Sequence, residues 1–109
     1  MFKCEVFVKN YLHALRALVA KKMIEVHGYT QQEVAEKLGI TQPAVSHYLR
    51  EARGKRTKEL EKNEKIMVLV EELVGKSTRS EFSYEDVKAF FCNACKLLLS
   101  RENVENIKK

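Results

Sequence analysis

The sequence predicts an all-α protein with about five helices, and three observations lead to this fold class. Glycine and proline, which interrupt helices, occur only 4 times and 1 time among the 109 residues. No stretch alternates strictly between apolar and polar residues, as a half-buried β-strand does. Apolar residues instead recur every three or four positions along several segments, which is the period of an amphipathic helix. With 45% hydrophobic and 32% charged residues, the composition is typical of a folded soluble domain.

The first helix is expected over about residues 5–27. Gly28 is a natural end for it, because glycine readily adopts the left-handed conformation of a helix C-terminus. Its apolar residues fall near one face and are expected to point inward: Tyr11, Leu12, Leu15, Leu18, Val19 and Val26.

The second helix is predicted from its capping residues. Thr30 and Glu33 match a capping box, in which each side chain accepts a hydrogen bond from the other residue's backbone amide. The helix should then run to about Leu38, with Val34, Ala35 and Leu38 facing inward. Gly39 should end it in a conformation that favours positive φ.

The third helix begins after Thr41, whose hydroxyl can cap it. Pro43 is compatible with this start, because the first-turn amides have no partners within the helix. The helix should continue to about Ala52, and Gly54 should end it.

A fourth helix is expected from Thr57 to Val74, and a fifth from the cap at residues 83–86 to about Ser100. Residues 75–80 are expected to form a loop between these two helices, and this loop is the best candidate for a domain boundary. The boundary divides the chain into a domain of residues 1–75 and an extension of residues 76–109. The fourth helix has an apolar stripe of Leu60, Ile66, Leu69, Val70 and Leu73. The fifth carries Val87, Phe90, Phe91, Ala94, Leu97 and Leu98.

The net charge of +5 is unevenly distributed. Residues 50–58 contain five basic residues and one acidic residue, a net charge of +4. Such a local cluster on a mildly basic domain is typical of a surface that binds phosphate groups, although a solvated basic turn would look the same.

The second and third helices match a helix-turn-helix in several positions at once. Counted from Gln31, apolar residues occupy the fourth, eighth, tenth and fifteenth places, namely Val34, Leu38, Ile40 and Val45. The small Ala35 is fifth and allows the two helices to approach closely, while Gly39 is ninth and permits the turn. In this motif the second helix enters the major groove of DNA.

Residues 31–50 resemble the phage-repressor-like, or Xre-type, helix-turn-helix. The resemblance implies that Gln31 and Gln42, which open the two motif helices, cooperate on a phosphate and an adenine. A glutamine amide suits adenine, because it can donate to N7 and accept from N6 together. The wider chain also resembles small archaeal regulators with an N-terminal cysteine and a C-terminal Cys-x-x-Cys.

Helical geometry assigns roles to the other candidate residues. Val45 and Tyr48 should pack inward, so that the outer side of the third helix is left to contact bases. Arg50 could read guanine or grip a phosphate, and the basic residues after it should contact the DNA backbone. The full set of candidate DNA-binding residues is Gln31, Thr41, Gln42, Ser46, His47, Arg50, Arg53, Lys55, Arg56 and Lys58.

Three cysteines allow a metal site or a redox function. Cys92 and Cys95 are three apart and share a helix face, and Cys4 could approach them if the first and last helices pack together. With a further ligand such as His13 or His27, these thiolates could hold zinc or an iron–sulfur cluster. They could equally be small buried side chains or a reversible thiol sensor.

The sequence therefore predicts a sequence-specific transcription regulator that binds duplex, palindromic DNA as a homodimer. The alternatives are a protein-interaction module with the same helical fold and a regulator that senses metal or thiol redox state. An enzyme is not expected, because no nucleophile–base grouping or phosphate loop is found. No signal peptide and no membrane-length apolar run is found either, so the expected location is the cytoplasm.

Overall fold

The computed structural model describes residues 11–108 and their side chains as far as Leu98. The described chain is helical throughout and contains no strand, so the predicted all-α class is confirmed. The helices are α1 (His13–His27), α2 (Gln31–Leu38), α3 (Gln42–Glu51), α4 (Lys55–Glu61), α5 (Glu64–Lys76) and α6 (Tyr84–Lys108).

Helix α1 is the centre of the fold and packs against α2, α3, α4 and α5. Leu15, Leu18 and Val19 are fully buried, as their spacing predicts. The prediction for Val26 was wrong, since its side chain is 63% exposed. Val26 lies in the last turn of α1, where the core no longer covers that face. The part of the predicted first helix before Tyr11 lies outside the described residues.

The boundaries of α2 and α3 agree with the prediction. Both hydrogen bonds of the capping box form, from the Thr30 amide to Glu33 Oε1 at 2.9 Å and from the Glu33 amide to Thr30 Oγ1 at 3.1 Å. Gly39 ends α2 with φ at +69°. Thr41 Oγ1 accepts from the Ala44 amide at 3.2 Å and starts α3.

The predicted fourth helix is two helices, α4 and α5, so that prediction was wrong. Asn63 has an extended backbone, and its side chain accepts a hydrogen bond from the Ile66 amide at 3.2 Å. Because this bond caps a new helix start, the chain turns between Glu61 and Glu64. The apolar residues still face inward: Leu60, Ile66, Val70 and Leu73 are buried, and Leu69 is half-buried.

Helix α5 ends at Lys76, two residues later than the predicted end at Val74, so Gly75 lies inside the helix and not in the loop. Ser77 is the C-terminal cap, and its fully buried hydroxyl donates to the Val74 carbonyl at 2.6 Å. The side chains of Tyr29 and Lys37 also bond to Ser77, at 3.1 and 2.7 Å. The loop therefore begins at Ser77 and is tied to the helices around it.

Helix α6 packs one stripe of side chains into the common core. The stripe consists of Val87, Phe90, Ala94 and Leu98. The Ser83 amide donates to Asp86 Oδ2 at 3.0 Å at the predicted start of the helix. The helix runs to Lys108 and not to about Ser100, because no glycine or proline follows Gly75 to interrupt it.

Candidate nucleic-acid interface

Helices α2 and α3 form a helix-turn-helix held closed by small and apolar residues. Val34, Ala35 and Leu38 of α2 and Val45 of α3 are all buried in the main core. The Ile40 amide donates to the Ala35 carbonyl at 3.0 Å across the turn. Because the turn is fixed by backbone bonds, the direction in which α3 leaves it is fixed as well.

The outer face of α3 presents polar side chains to solvent. Thr41, Gln42, His47 and Arg50 are exposed, whereas Val45 and Tyr48 are buried on the opposite face. Gln42 is the first residue of the helix and lies next to the turn. The helix therefore has one solvent-exposed polar face and one buried face, as the sequence predicts.

Gln31 and Ser46 are brought together although they are fifteen positions apart. Ser46 Oγ donates to Gln31 Oε1 at 2.6 Å, and both side chains are half-buried. This bond joins the first residue of α2 to the middle of α3. It engages the Gln31 side-chain oxygen and leaves the amide nitrogen as a donor, which could meet an acceptor such as a phosphate oxygen.

His47 lies over its own helix. Its Nε2 is 2.9 Å from Oε1 of Glu51, one turn further on; the His47 side chain is exposed and that of Glu51 is half-buried. The contact holds the imidazole along the outer face of α3. His47 thus occupies the predicted face with a defined orientation, which the sequence pattern alone does not give.

The basic residues that follow α3 lie on a turn and on the short helix α4. Arg53, Lys55, Arg56 and Lys58 are all exposed. The Arg56 guanidinium carbon lies 5.3 Å from the centre of the Tyr11 ring, which anchors this side chain against the fold. The side chains of Arg53, Lys55 and Lys58 are exposed to solvent, so their positions can adjust to a polyanion.

Tyr48 was predicted to pack inward and does so, in a small cluster with Ala17 and Ala52. The sequence pattern missed its polar partner. Arg16 Nη1 on α1 donates to the Tyr48 hydroxyl at 3.2 Å. No local signal could reveal this contact, because the two residues are far apart in sequence and meet only through the packing of α1 on α3.

Two of the three cysteines lie on α6, and Cys4 lies outside the described residues. Cys92 is exposed and Cys95 is half-buried. Within the described ranges, no three His, Cys, Asp or Glu side chains lie close enough together to hold a metal ion. His27, one of the suggested ligands, has its Nε2 3.0 Å from the Val74 carbonyl, and the ring of the other, His13, lies 5.9 Å from that of Tyr48. The metal and cluster hypotheses for Cys4, Cys92 and Cys95 remain predictions.

Residues 21–66 match the family model described as helix-turn-helix. The match begins inside α1 and includes α2, α3 and α4, the same elements that form the polar face and the basic cluster. This segment is therefore a helix-turn-helix domain of the phage-repressor, or Xre, type. The matched family is one of DNA-binding regulatory domains and is not a catalytic family.

No curated protein and no solved structure matches the chain significantly. Among the helices of the described part, none combines the length and the apolar character needed to cross a bilayer.

Proposed function

We propose that this protein is a transcription regulator that binds duplex DNA in a sequence-specific manner, with α3 in the major groove. The observation that carries the proposal is the exposed polar face of α3, which is followed at once by a net charge of +4 over residues 50–58. A helix face of hydrogen-bonding side chains can read base edges, and adjacent cations can neutralise phosphates.

The side chains divide into two roles by position. Gln42, at the start of α3, is exposed where the helix would enter the groove, and its amide can form a bidentate pair with adenine. Thr41, Ser46, His47 and Arg50 complete the face that meets the bases. Gln31, held by its bond to Ser46, contacts a phosphate beside the groove. The backbone contacts come from Arg53, Lys55, Arg56 and Lys58.

The functional unit is a homodimer on a palindromic site. One recognition helix buries too little surface to select a single genomic site, so such helices work in pairs on half-sites about 34–36 Å apart. Helix α6 supplies the contact between subunits, because Phe91 and Leu97 lie at the edge of its buried stripe and are only half-covered. A protein with this target works where the DNA is, which in a cell without a nucleus is the cytoplasm.

Selection of bound sequences from random duplex DNA tests the proposal. Protein purified without oxygen keeps the thiols reduced, and the variant Gln42→Ala is selected in parallel. We expect a palindromic consensus whose half-site centres are about one helical turn, 34–36 Å, apart. The variant should lose its preference at one base pair of each half-site. Failure of the full-length protein to enrich any sequence would instead favour a protein-interaction module.

A further inference from the structure

Arg16 of α1 contacts two other helices through its guanidinium group. Nη1 donates to the hydroxyl of Tyr48 on α3 at 3.2 Å, and Cζ lies 5.5 Å from the centre of the Phe91 ring on α6. In the part of the chain whose side chains are described, no carboxylate forms an ion pair with Arg16. Among these residues, the guanidinium contacts a phenol oxygen and a ring face that belong to different helices.

The hydrogen bond lies where it can fix the rotation of α3 about its own axis. Tyr48 is only 7% exposed and packs against Ala17 and Ala52. Packing on alanines is non-directional, so beside the Ser46–Gln31 bond the rotation of α3 depends on this second hydrogen bond. A hydrogen bond from a planar guanidinium is directional, and it holds the one inner side chain that carries a polar end.

A roll of α3 would move the side chains on its outer face. Gln42 and Arg50 project from the opposite side of the same helix. Readout of a base edge requires placement to about half an ångström, so a small rotation changes discrimination between sequences more than it changes attraction to the phosphates.

We infer that Arg16 is a positioning residue that couples α6 to the recognition helix. A shift of α6 at Phe91 moves the Arg16 guanidinium, and this movement changes its hydrogen bond to Tyr48. A subunit contact on α6 would act on DNA readout by this route. The part of the inference that concerns DNA rests on the proposed function, whereas the coupling between helices does not.

The first experiment compares Tyr48→Phe, Phe91→Leu and the double variant with two matched controls. Tyr29→Phe removes a half-buried tyrosine hydroxyl that bonds to Ser77. Phe82→Leu removes a half-buried ring 5.8 Å from the ammonium of Lys37. Both controls remove the same kinds of group as the test variants, at contacts that do not include Arg16. The measured quantity is the ratio of affinities for the selected operator and for random duplex DNA.

Each single variant should lower this ratio about 3- to 10-fold, the range that the loss of one net hydrogen bond or of one cation–π contact produces. The double variant should lose no more than the larger single one, because both act through Arg16. The salt dependence should stay unchanged, and the controls should stay within about twofold of the natural protein. Unchanged ratios, additive losses or equal losses in the controls would overturn the inference.

The second experiment needs no DNA. Native-state amide hydrogen exchange is measured in the natural protein, Phe91→Leu and Phe82→Leu. Phe91→Leu should speed exchange in α3 about 3- to 10-fold relative to α2, and Phe82→Leu should not. An effect confined to α6, or equal in all helices, overturns the coupling. A protein that selects no DNA sequence but shows this pattern would contradict the proposed function and leave the coupling standing.

Discussion

Gln42 and Lys55 are both exposed polar residues near the proposed DNA surface, yet they differ in what they can recognise. The amide of Gln42 carries a donor and an acceptor in one plane, and this pair matches the major-groove edge of adenine. The ammonium of Lys55 is a point charge at the start of α4 and matches any phosphate. The two side chains therefore predict two different mutational phenotypes.

We expect Gln42→Ala to cost about 1–3 kcal/mol at the preferred site and to relax the preference at one base pair. Affinity for random duplex DNA should hardly change, because the phosphate contacts remain. Competition binding against a set of single-base operator variants measures both effects.

Lys55→Ala is the matched contrast, and it should weaken binding to all sequences by about the same factor. The same competition set measures this. If both variants weakened specific and random DNA alike, α3 would not be the helix that reads the bases.

At the scale of the elements, two glycines should respond to the same substitution with opposite signs. Gly39 ends α2 at φ +69°, a left-handed conformation that costs other residues about 1–2 kcal/mol. Gly75 lies within α5, and an added Cβ there meets no other atom within 4 Å. Gly39→Ala should therefore lower the free energy of unfolding by about 1 kcal/mol or more. Gly75→Ala should raise it by about 0.5–1 kcal/mol.

Urea unfolding of the two variants beside the natural protein measures both changes. A Cβ added at Gly39 would lie 3.5 Å from the Tyr84 ring, which is an ordinary van der Waals contact. A clash would therefore not explain a loss of stability. Stabilisation by Gly39→Ala would contradict the left-handed turn between α2 and α3.

The sequence predicted the helix-turn-helix well because its signals are local. Thr30, Glu33, Gly39 and Thr41 act within a few residues of themselves, and each capping bond forms where its spacing indicates. The same locality explains the error at Asn63. An asparagine in a charged, apolar-periodic segment can lie within a helix or cap a new one, and the packing of α4 and α5 on α1 decides between them.

The contacts that position the interface could not be predicted for a different reason. The Ser46–Gln31 bond and the Arg16–Tyr48 bond join side chains 15 and 32 positions apart. Their partners depend on the crossing of the helices, and no residue pattern encodes that crossing. The sequence thus predicted which helix faces are polar, but it did not predict which hydrogen bonds hold their side chains.

At the scale of the whole molecule, the clustering of charge predicts strong salt dependence. Four exposed cations, Arg53, Lys55, Arg56 and Lys58, follow the recognition helix. If each neutralises one phosphate, the logarithm of the binding constant should fall with the logarithm of salt concentration at a slope of about −3 to −4 from these contacts alone.

Fluorescence anisotropy titrations at several salt concentrations measure the slope. Replacing Lys55 and Lys58 together with alanine should make it less steep by about 2, since each phosphate contact contributes about 0.9. Replacing the exposed Lys96 of α6 should leave it unchanged. A slope near zero in the natural protein would rule out these residues as phosphate ligands.

The architecture also determines how the proposed dimer can be tested. Removing α6 would take Val87, Phe90 and Ala94 out of the common core, and loss of folding would then hide the loss of assembly. A single charged residue at the edge of the buried stripe avoids this difficulty. Leu97 lies there, half-buried, and Asn93 lies on the same helix but is exposed.

We expect Leu97→Asp to make the protein monomeric, because a carboxylate at an apolar subunit contact would have to lose its hydration without a partner. Asn93→Asp adds the same charge to the same helix and should leave the dimer intact. Sedimentation equilibrium measures the association state, and circular dichroism checks that both variants keep their helices. Binding of the monomer to the full palindrome should weaken by more than tenfold, since the two half-sites would no longer be linked through one molecule. A folded Leu97→Asp variant that still forms dimers would place the subunit contact on another face.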